Sequence, residues 1–236
     1  MSKMMRVCLG PDLLDRMSAE DPRAIASRRD IKRINAVMLQ YSVMRDAIRR
    51  CGLSAPKRVL DLGGGDATFT LKVIKWMRPQ WRGVEFIILD RMNVVEPETI
   101  REYEMMGCTL KVVNEDVFSF FENAGKERFD LVLSNLFIHH FPAPELTRML
   151  SLIAGVTKAF AACEPKRSVL SVAGSAMLWA IGCSSVTVHD SITGSRAGFA
   201  ADDVTGLWPN ASTWQVDEYN KGLFSHCFVA RQRGIA

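Results

Sequence analysis

Two patterns are missing from this 236-residue sequence, and each absence removes a class of protein. The six cysteines include no C-x-x-C pair, so nothing in the sequence supports a zinc site or dithiol chemistry, and we expect no metal. The first ten residues lack the apolar stretch of a secretory leader. We therefore expect reduced thiols and a cytoplasmic protein.

Basic residues are also too few and too scattered to predict nucleic-acid binding. The net charge is only +4, and the densest basic stretches, 28–33 and 45–50, lie among apolar residues at helical spacing. Such runs are typical of solvated helix faces, and we expect no nucleic-acid partner. A hydrophobic content of 48% is enough for a packed core.

One stretch without charge, residues 169–188, approaches the ~20 residues of a membrane-spanning helix. Serine, glycine and threonine interrupt it, mostly toward its C-terminal end. We therefore predict a buried helix followed by a strand or loop, with no stable membrane insertion.

Residues 22–50 are predicted to form one or two amphipathic helices before the first strand. Asp21-Pro22 is a typical helix start, and Gly52 a typical stop. Apolar side chains recur there at steps of three and four residues, at Ile25, Ile31, Ile34, Met38, Tyr41, Met44 and Ile48.

From residue 58 onward, short apolar strands alternate with helices. The predicted strands are 58–62, 84–90, 109–114, 129–134, 160–164, 213–216 and 225–230. This alternation predicts an α/β fold, a Rossmann-like seven-stranded, mostly parallel sheet with helices on both faces and an N-terminal helical addition. We expect one domain over 1–236, with 1–54 as a helical cap and 168–210 as an insertion covering the ligand crevice.

Acidic residues follow three successive predicted strands, where ligands bind in such sheets. Asp61 begins a glycine turn, Asp90 ends the second strand, and Asp116 follows the third. A carboxylate such as Asp90 can accept hydrogen bonds from two ribose hydroxyls, and Asp116 could accept one from an adenine amine. Asp61 alone could cap a helix or sit in a loop, and Asp116 alone could cap the helix that follows it, but the set favours an adenosine site. The segment 63–69 lacks the third glycine of the dinucleotide fingerprint G-x-G-x-x-G.

These segments resemble class I S-adenosylmethionine (SAM)-dependent methyltransferases over roughly residues 56–165. Val59–Gly65 is similar to their glycine motif, Asp90 to their ribose-binding acid, and 114–117 to their adenine segment, while Ala67 replaces the usual last glycine. The resemblance implies SAM as cofactor. It implies that Asp61 orients the glycine turn or the amino-acid moiety of SAM. The other implied cofactor contacts are Gly63, Gly64, Gly65, Asp90, Arg91, Asp116, Val117 and Asn135.

Two of the four histidines, His139 and His140, follow the fourth predicted strand. Segment 134–141 resembles one common in small-molecule methyltransferases, and families that O-methylate phenols have a catalytic histidine at the place of His139. A phenol, with a pKa near ~10, benefits from such a base at neutral pH. The same histidines could instead cap the next helix. We take both as candidate catalytic residues for O-methylation of a small hydrophobic acceptor, aromatic or polyketide-derived, in secondary metabolism.

Two other functions stay open: C-methylation of a quinone precursor, and a binding module that retains SAM without catalysis. Segment 196–199 resembles part of bacterial methyltransferases of polyketide or phenolic-lipid biosynthesis. The sequence also leaves open a homodimer. Side chains of the insertion could line the acceptor pocket or pack in the core, namely Met177, Leu178, Trp179, Phe199 and Trp208.

Overall fold

The computed structural model describes residues 4–7, 12–77, 81–123, 125 and 127–234. Within these residues, seven strands form one sheet in the order β3-β2-β1-β4-β5-β7-β6. The strands are β1 Arg58–Leu62, β2 Glu85–Asp90, β3 Thr109–Asn114, β4 Phe129–Asn135, β5 Thr157–Pro165, β6 Trp214–Lys221 and β7 Ser225–Gln232. The first five pair in parallel, and β7 runs antiparallel between β5 and β6. The predicted fold class is confirmed.

Helices cover both faces of the sheet. They are α1 Pro22–Val37, α2 Gln40–Arg50, α3 Thr68–Lys75, α4 Pro97–Met105, α5 Val117–Asn123, α6 Ala143–Val156, α7 Val169–Ala176 and α8 Ser185–Ala197. Alternate strand residues serve the two faces: Val59 packs with α2, α3 and α4, whereas Leu60 packs with α5 and α6. The sheet is thus buried on both sides, as a parallel sheet requires.

The N-terminal helices differ from the predicted amphipathic pattern at one end. Helix α2 buries Tyr41, Met44 and Ile48 as expected, but Ile25 of α1 is 45% exposed. Instead, α1 turns polar groups toward α8: the Asp30 carboxylate accepts hydrogen bonds from the Ser184 amide (2.7 Å) and the Thr187 hydroxyl (3.1 Å). The expected apolar face is therefore wrong for the start of α1, because the face that α1 buries there carries polar residues that hydrogen-bond to α8 and to Ser184 before it.

The charge-free stretch 169–188 also differs from expectation. It forms α7, a 3₁₀ helix over Met177–Ile181 and the first residues of α8, and it contains no strand. The predicted burial is wrong, since several of its bulky apolar side chains are more than half exposed. No helix among the described residues is long and apolar enough to cross a membrane.

The five described cysteines are buried and carry free thiols. Cys8 lies outside the described residues. The apolar surroundings of Cys51 raise its pKa to about 12, because burial disfavours the thiolate. Such thiols serve as small core residues rather than nucleophiles.

Candidate active site

A cavity of about 1000 Å³ lies where the parallel strands end. The turn after β1, the ends of β2 and β4 and the start of α5 supply one part of its wall. All but one of the cofactor-binding and catalytic residues predicted from the sequence line it, namely Gly63, Gly64, Gly65, Asp90, Arg91, Asp116, Val117, Asn135, His139 and His140. The exception is Asp61.

The glycine turn admits no larger residue at its first two positions. Gly63 has φ +64°, and a Cβ atom there would overlap the ring of Phe137. A Cβ atom on Gly64 would lie 2.9 Å from the Asp61 carboxylate. At Gly65 (φ +55°), a Cβ atom would meet nothing within 4 Å. The turn therefore exposes backbone atoms to the cavity without side chains in front of them.

Asp61 lies beneath this turn and not in the cavity wall. It is 3% exposed, and its Oδ2 accepts a hydrogen bond from the Thr70 hydroxyl of α3 at 2.6 Å. Burial raises the pKa of Asp61 to about 7, an effect that the Thr70 hydrogen bond partly offsets. This position fits a residue that orients the glycine turn better than one that contacts the amino-acid moiety of SAM.

Asp90 connects the end of β2 to the glycine turn. Its Oδ2 accepts from the Gly65 amide at 3.0 Å, and its Oδ1 from the Met92 amide at 2.9 Å. Burial raises the pKa of Asp90, although these amides and Arg91 favour the charged form. Each carboxylate oxygen has further lone pairs, so the group can accept more hydrogen bonds from a ligand in the cavity.

The other strand-end residues have partners of their own. Asp116 caps α5, because its Oδ1 accepts a hydrogen bond from the Phe118 amide at 2.9 Å. This is the helix-capping role that the sequence left open for Asp116. The Asn135 side-chain oxygen accepts from the Gln40 amide of α2 at 3.2 Å. Arg91 pairs with Asp15 at 3.2 Å, which places the N-terminal segment beside the cavity.

His139 is held by a buried carboxylate that the sequence reasoning did not identify. Glu164, at the end of β5, is 1% exposed, and its Oε2 lies 2.7 Å from the His139 Nδ1. The Glu164 Oε1 accepts from the amides of Phe137 (3.1 Å) and Ile138 (3.2 Å) and from the Ser134 hydroxyl (3.2 Å). Three donors already point at Oε1, so Glu164 acts as a hydrogen-bond acceptor here, and the His139 Nδ1–H donates a hydrogen bond to its Oε2.

This tautomer leaves the His139 Nε2 as a hydrogen-bond acceptor. A Cβ atom on Gly194 of α8 would lie 3.1 Å from Nε2, and both residues line the cavity. Glycine at position 194 therefore places no side chain against this nitrogen. An imidazole that donates a hydrogen bond to a carboxylate through one nitrogen and faces a cavity with the other can remove a proton from a bound group.

His140 has a different environment although its ring centroid is only 4.1 Å from that of His139. Burial lowers the pKa of His140 well below its ordinary value, and the neighbouring His139 lowers it further. Its Nδ1 lies 3.7 Å from Asp12, whose own pKa burial raises to about 7. His140 thus stays neutral, and Asp12 lies farther from it than Glu164 lies from His139.

The remaining wall comes from α1, α7, α8 and the 3₁₀ helix. Its side chains are mainly apolar or small, including Ile31, Ile34, Met38, Leu178, Ser171, Ser175, Ser191 and Ser195. Met177 and Leu178 line the cavity, but Trp179 is 71% exposed. Phe199 and Trp208 are core residues, with Trp208 stacked 5.7 Å from Phe160. No group of His, Cys, Asp or Glu in the described part of the chain is arranged to hold a metal ion.

A family model described as a methyltransferase domain matches residues 38–184, well over half of the chain. The chain belongs to this methyltransferase family. It is a SAM-dependent methyltransferase, as the sequence motifs predict. No curated protein matches the methyltransferase in sequence.

Solved structures share the fold at low sequence identity. The plantazolicin methyltransferase BpumL in complex with SAH has a TM-score of 0.64 and 11% identity, covering 91% of this chain and 92% of its own. An O-methyltransferase family protein from Burkholderia thailandensis has a TM-score of 0.60 and 18% identity, covering 91% of this chain and 63% of its own. These similarities show the fold of the methyltransferase and nothing finer.

Proposed function

We propose that the strand-end part of the cavity holds SAM. The turn at 63–65 offers open backbone for the amino-acid moiety, supported from below by Asp61 and flanked by Asn135. Asp90, with Arg91 beside it, holds the ribose, and Asp116 and Val117 hold adenine. The cavity volume lies at the upper end of typical ligand pockets, so a cofactor and a small acceptor fit together. When bound, SAM supplies a methyl group already activated on a positively charged sulfur.

We further propose that residues 1–54 and 168–210 form the cover of this cavity within one domain. Support comes from the wall itself, because α1 and the 3₁₀ helix supply apolar side chains to it, and α7 and α8 supply mainly small ones. The N-terminal segment is attached to this cover, since the Asp190 carboxylate accepts hydrogen bonds from the amides of Leu13 (3.0 Å) and Leu14 (3.1 Å). Excluding water in this way strengthens polar interactions inside the site.

The acceptor we propose is a small hydrophobic molecule, aromatic or polyketide-derived, that is methylated on a hydroxyl. His139 removes the hydroxyl proton through Nε2, and Glu164 stabilises the resulting imidazolium through Nδ1. The observation that carries this proposal is the 2.7 Å contact between Glu164 and His139, which turns the accepting nitrogen toward the cavity. His140 lines the same site as a neutral neighbour.

A solved neighbour of the same fold holds a second molecule together with SAH. The plantazolicin methyltransferase has been solved with a triazolic desmethylPZN analog together with SAH, at a TM-score of 0.64 to this chain. The apolar lining of the present cavity favours an uncharged, hydrophobic acceptor.

The test is a panel of phenols, quinols and polyketides assayed with the wild type, His139→Ala and His139→Gln. We expect both variants to lose about 10²- to 10⁴-fold in turnover, the usual contribution of a general base. SAH affinity, measured by calorimetry, should change less than about twofold, because the base adds transition-state rather than cofactor-binding energy. Unchanged turnover in both variants would remove His139 from the mechanism. NMR of the product decides the acceptor atom, and a new carbon–methyl bond would replace O-methylation by the quinone-precursor alternative.

A further inference from the structure

The cavity opens to solvent at a rim of bulky apolar side chains. Val37, Met177 and Ile181 line the cavity although they are 73%, 67% and 54% exposed, so they lie at its mouth. Trp179, between the last two on the 3₁₀ helix, is 71% exposed, and Leu39 beside Val37 is 67% exposed. We call these five residues the mouth rim. Exposed apolar groups gathered at one opening mark an interaction surface, unlike the single exposed residues of ordinary surfaces.

Basic residues continue this surface along α1. Arg29, Arg33 and Val37 are spaced four residues apart and therefore lie on one face of the helix, and all three are exposed. Arg33 contacts Asp30 at 3.4 Å, whereas Arg29 has no acidic partner among the residues that the structure describes. The hydrogen bond from Ser184 to Asp30 holds α1 against the residues that follow the 3₁₀ helix. The arginines and the rim thus form one basic and apolar surface.

We propose that this surface docks on an anionic lipid bilayer, with the mouth rim inserted among the acyl chains and the arginines at the headgroups. Tryptophan side chains are enriched at the interface between membrane and water, and basic side chains are attracted to anionic lipid headgroups. A second copy of the chain is a poorer occupant, because a symmetric contact would bring the arginines of both copies together. The bilayer then delivers a lipophilic acceptor directly to the mouth, a step that rests on the proposed function.

The test is co-sedimentation of the full chain with vesicles of phosphatidylcholine, alone or mixed with phosphatidylglycerol. We expect binding to the mixed vesicles that weakens as salt rises. Arg29→Gln with Arg33→Gln should lower this binding roughly 25-fold, at about fivefold for each basic residue. Trp179→Ser should lower binding to both vesicle types.

Arg82→Gln with Lys111→Gln is the matched control. Both residues are exposed, form no ion pair within the described chain, and lie at the β2 and β3 end of the sheet. It should change binding less than twofold.

Three results would overturn the docking proposal. These are no binding of the wild type to mixed vesicles, an equal loss in the control variant, or a concentration-dependent dimer that Trp179→Ser abolishes. Methylation of a water-soluble phenol without vesicles should be unaffected by all of these variants. If vesicles bind as expected but no phenol is methylated, the docking surface stands and the proposed function fails.

Discussion

The strand ends and the covering helices line the same cavity with different chemistry. At the strand ends, carboxylates and amides are fixed by backbone hydrogen bonds, as Asp90 is by Gly65 and Met92. The covering helices offer apolar and small side chains, and some of these, such as Met177, are largely exposed. A preorganised polar wall suits one invariant cofactor, whereas an apolar wall discriminates acceptors mainly by shape. His139 lies where the two walls meet, attached to a strand end through Glu164 and facing Gly194 of α8.

The largest effect on turnover should follow from replacing the carboxylate that accepts the hydrogen bond of His139. In Glu164→Gln, the amide oxygen should stay with the Phe137 and Ile138 amides, so the NH₂ group faces Nδ1. This geometry selects the tautomer with the proton on Nε2, and we expect turnover to fall about 10²-fold or more.

Two quantities are measured for Glu164→Gln, the turnover at saturating acceptor and the SAH affinity. The turnover should fall, whereas the SAH affinity should not change. Glu218→Gln is the matched control, because Glu218 contacts the buried His226 at 2.7 Å on β6 and β7, and neither residue lines the cavity. Comparable losses of turnover in the two variants would mean that Glu164 acts only on folding.

The strand-end wall, which we propose holds the cofactor, should be most sensitive to substitution at Gly63. Gly63→Ala adds a Cβ atom that overlaps Phe137 at a φ of +64°, so the turn must move. We expect SAH affinity to fall tenfold or more in calorimetry. Gly83→Ala introduces the same backbone strain (φ +75°) where a Cβ atom meets nothing within 4 Å, and it should leave SAH affinity intact. Equal losses would show that strain alone, and not the shape of the turn, limits binding.

The wall formed by the covering helices, where we propose that the acceptor binds, is tested by Gly194→Ala. The added methyl group lies 3.1 Å from the His139 Nε2 and narrows its approach. We expect kcat/KM for a phenolic acceptor to fall about tenfold while SAH affinity is kept, the pattern of lost positioning. Gly155→Ala on α6, which meets nothing within 4 Å, is the control. A change in SAH affinity would instead place Gly194 in the cofactor wall.

A smaller effect concerns pH and the support of the glycine turn. The folded pKa of Asp61, about 7, exceeds its ordinary value of 3.8, so its contribution to stability is complete below pH 3.8 and is lost as pH rises toward 7. The slope is at most about 1.4 kcal/mol per pH unit. Asp61→Asn should flatten the pH dependence of the free energy of unfolding, measured by urea denaturation between pH 4 and 7. A slope unchanged in the variant would show that another group titrates.

The strand-end wall could be predicted from the sequence because its geometry is local. Strands β1 and β3 have the predicted bounds, and parallel strands place the residues after them at one edge. That logic also marks Glu164 as the end of a strand. Its contact with His139, however, depends on β4 and β5 being neighbours, which spacing along the chain does not reveal.

The covering helices were predicted less well for a physical reason. An apolar, uncharged segment is expected to be buried, but both faces of the sheet are already covered by other helices. Residues 169–188 therefore line the cavity and its mouth with apolar side chains that remain exposed. Similarly, Phe199 and Trp208 enter the core because the strands β6 and β7 bring their segment back to α6.

The protonation of His139 tests the account most directly. Nitrogen-15 NMR of the ring, recorded with SAH and an unreactive phenol analogue bound, reports which nitrogen carries the proton. We expect the proton on Nδ1, where it is shared with Glu164, and an unprotonated Nε2 that accepts a hydrogen bond from the bound phenol analogue. A proton on Nε2 with Nδ1 bare would contradict the proposed base.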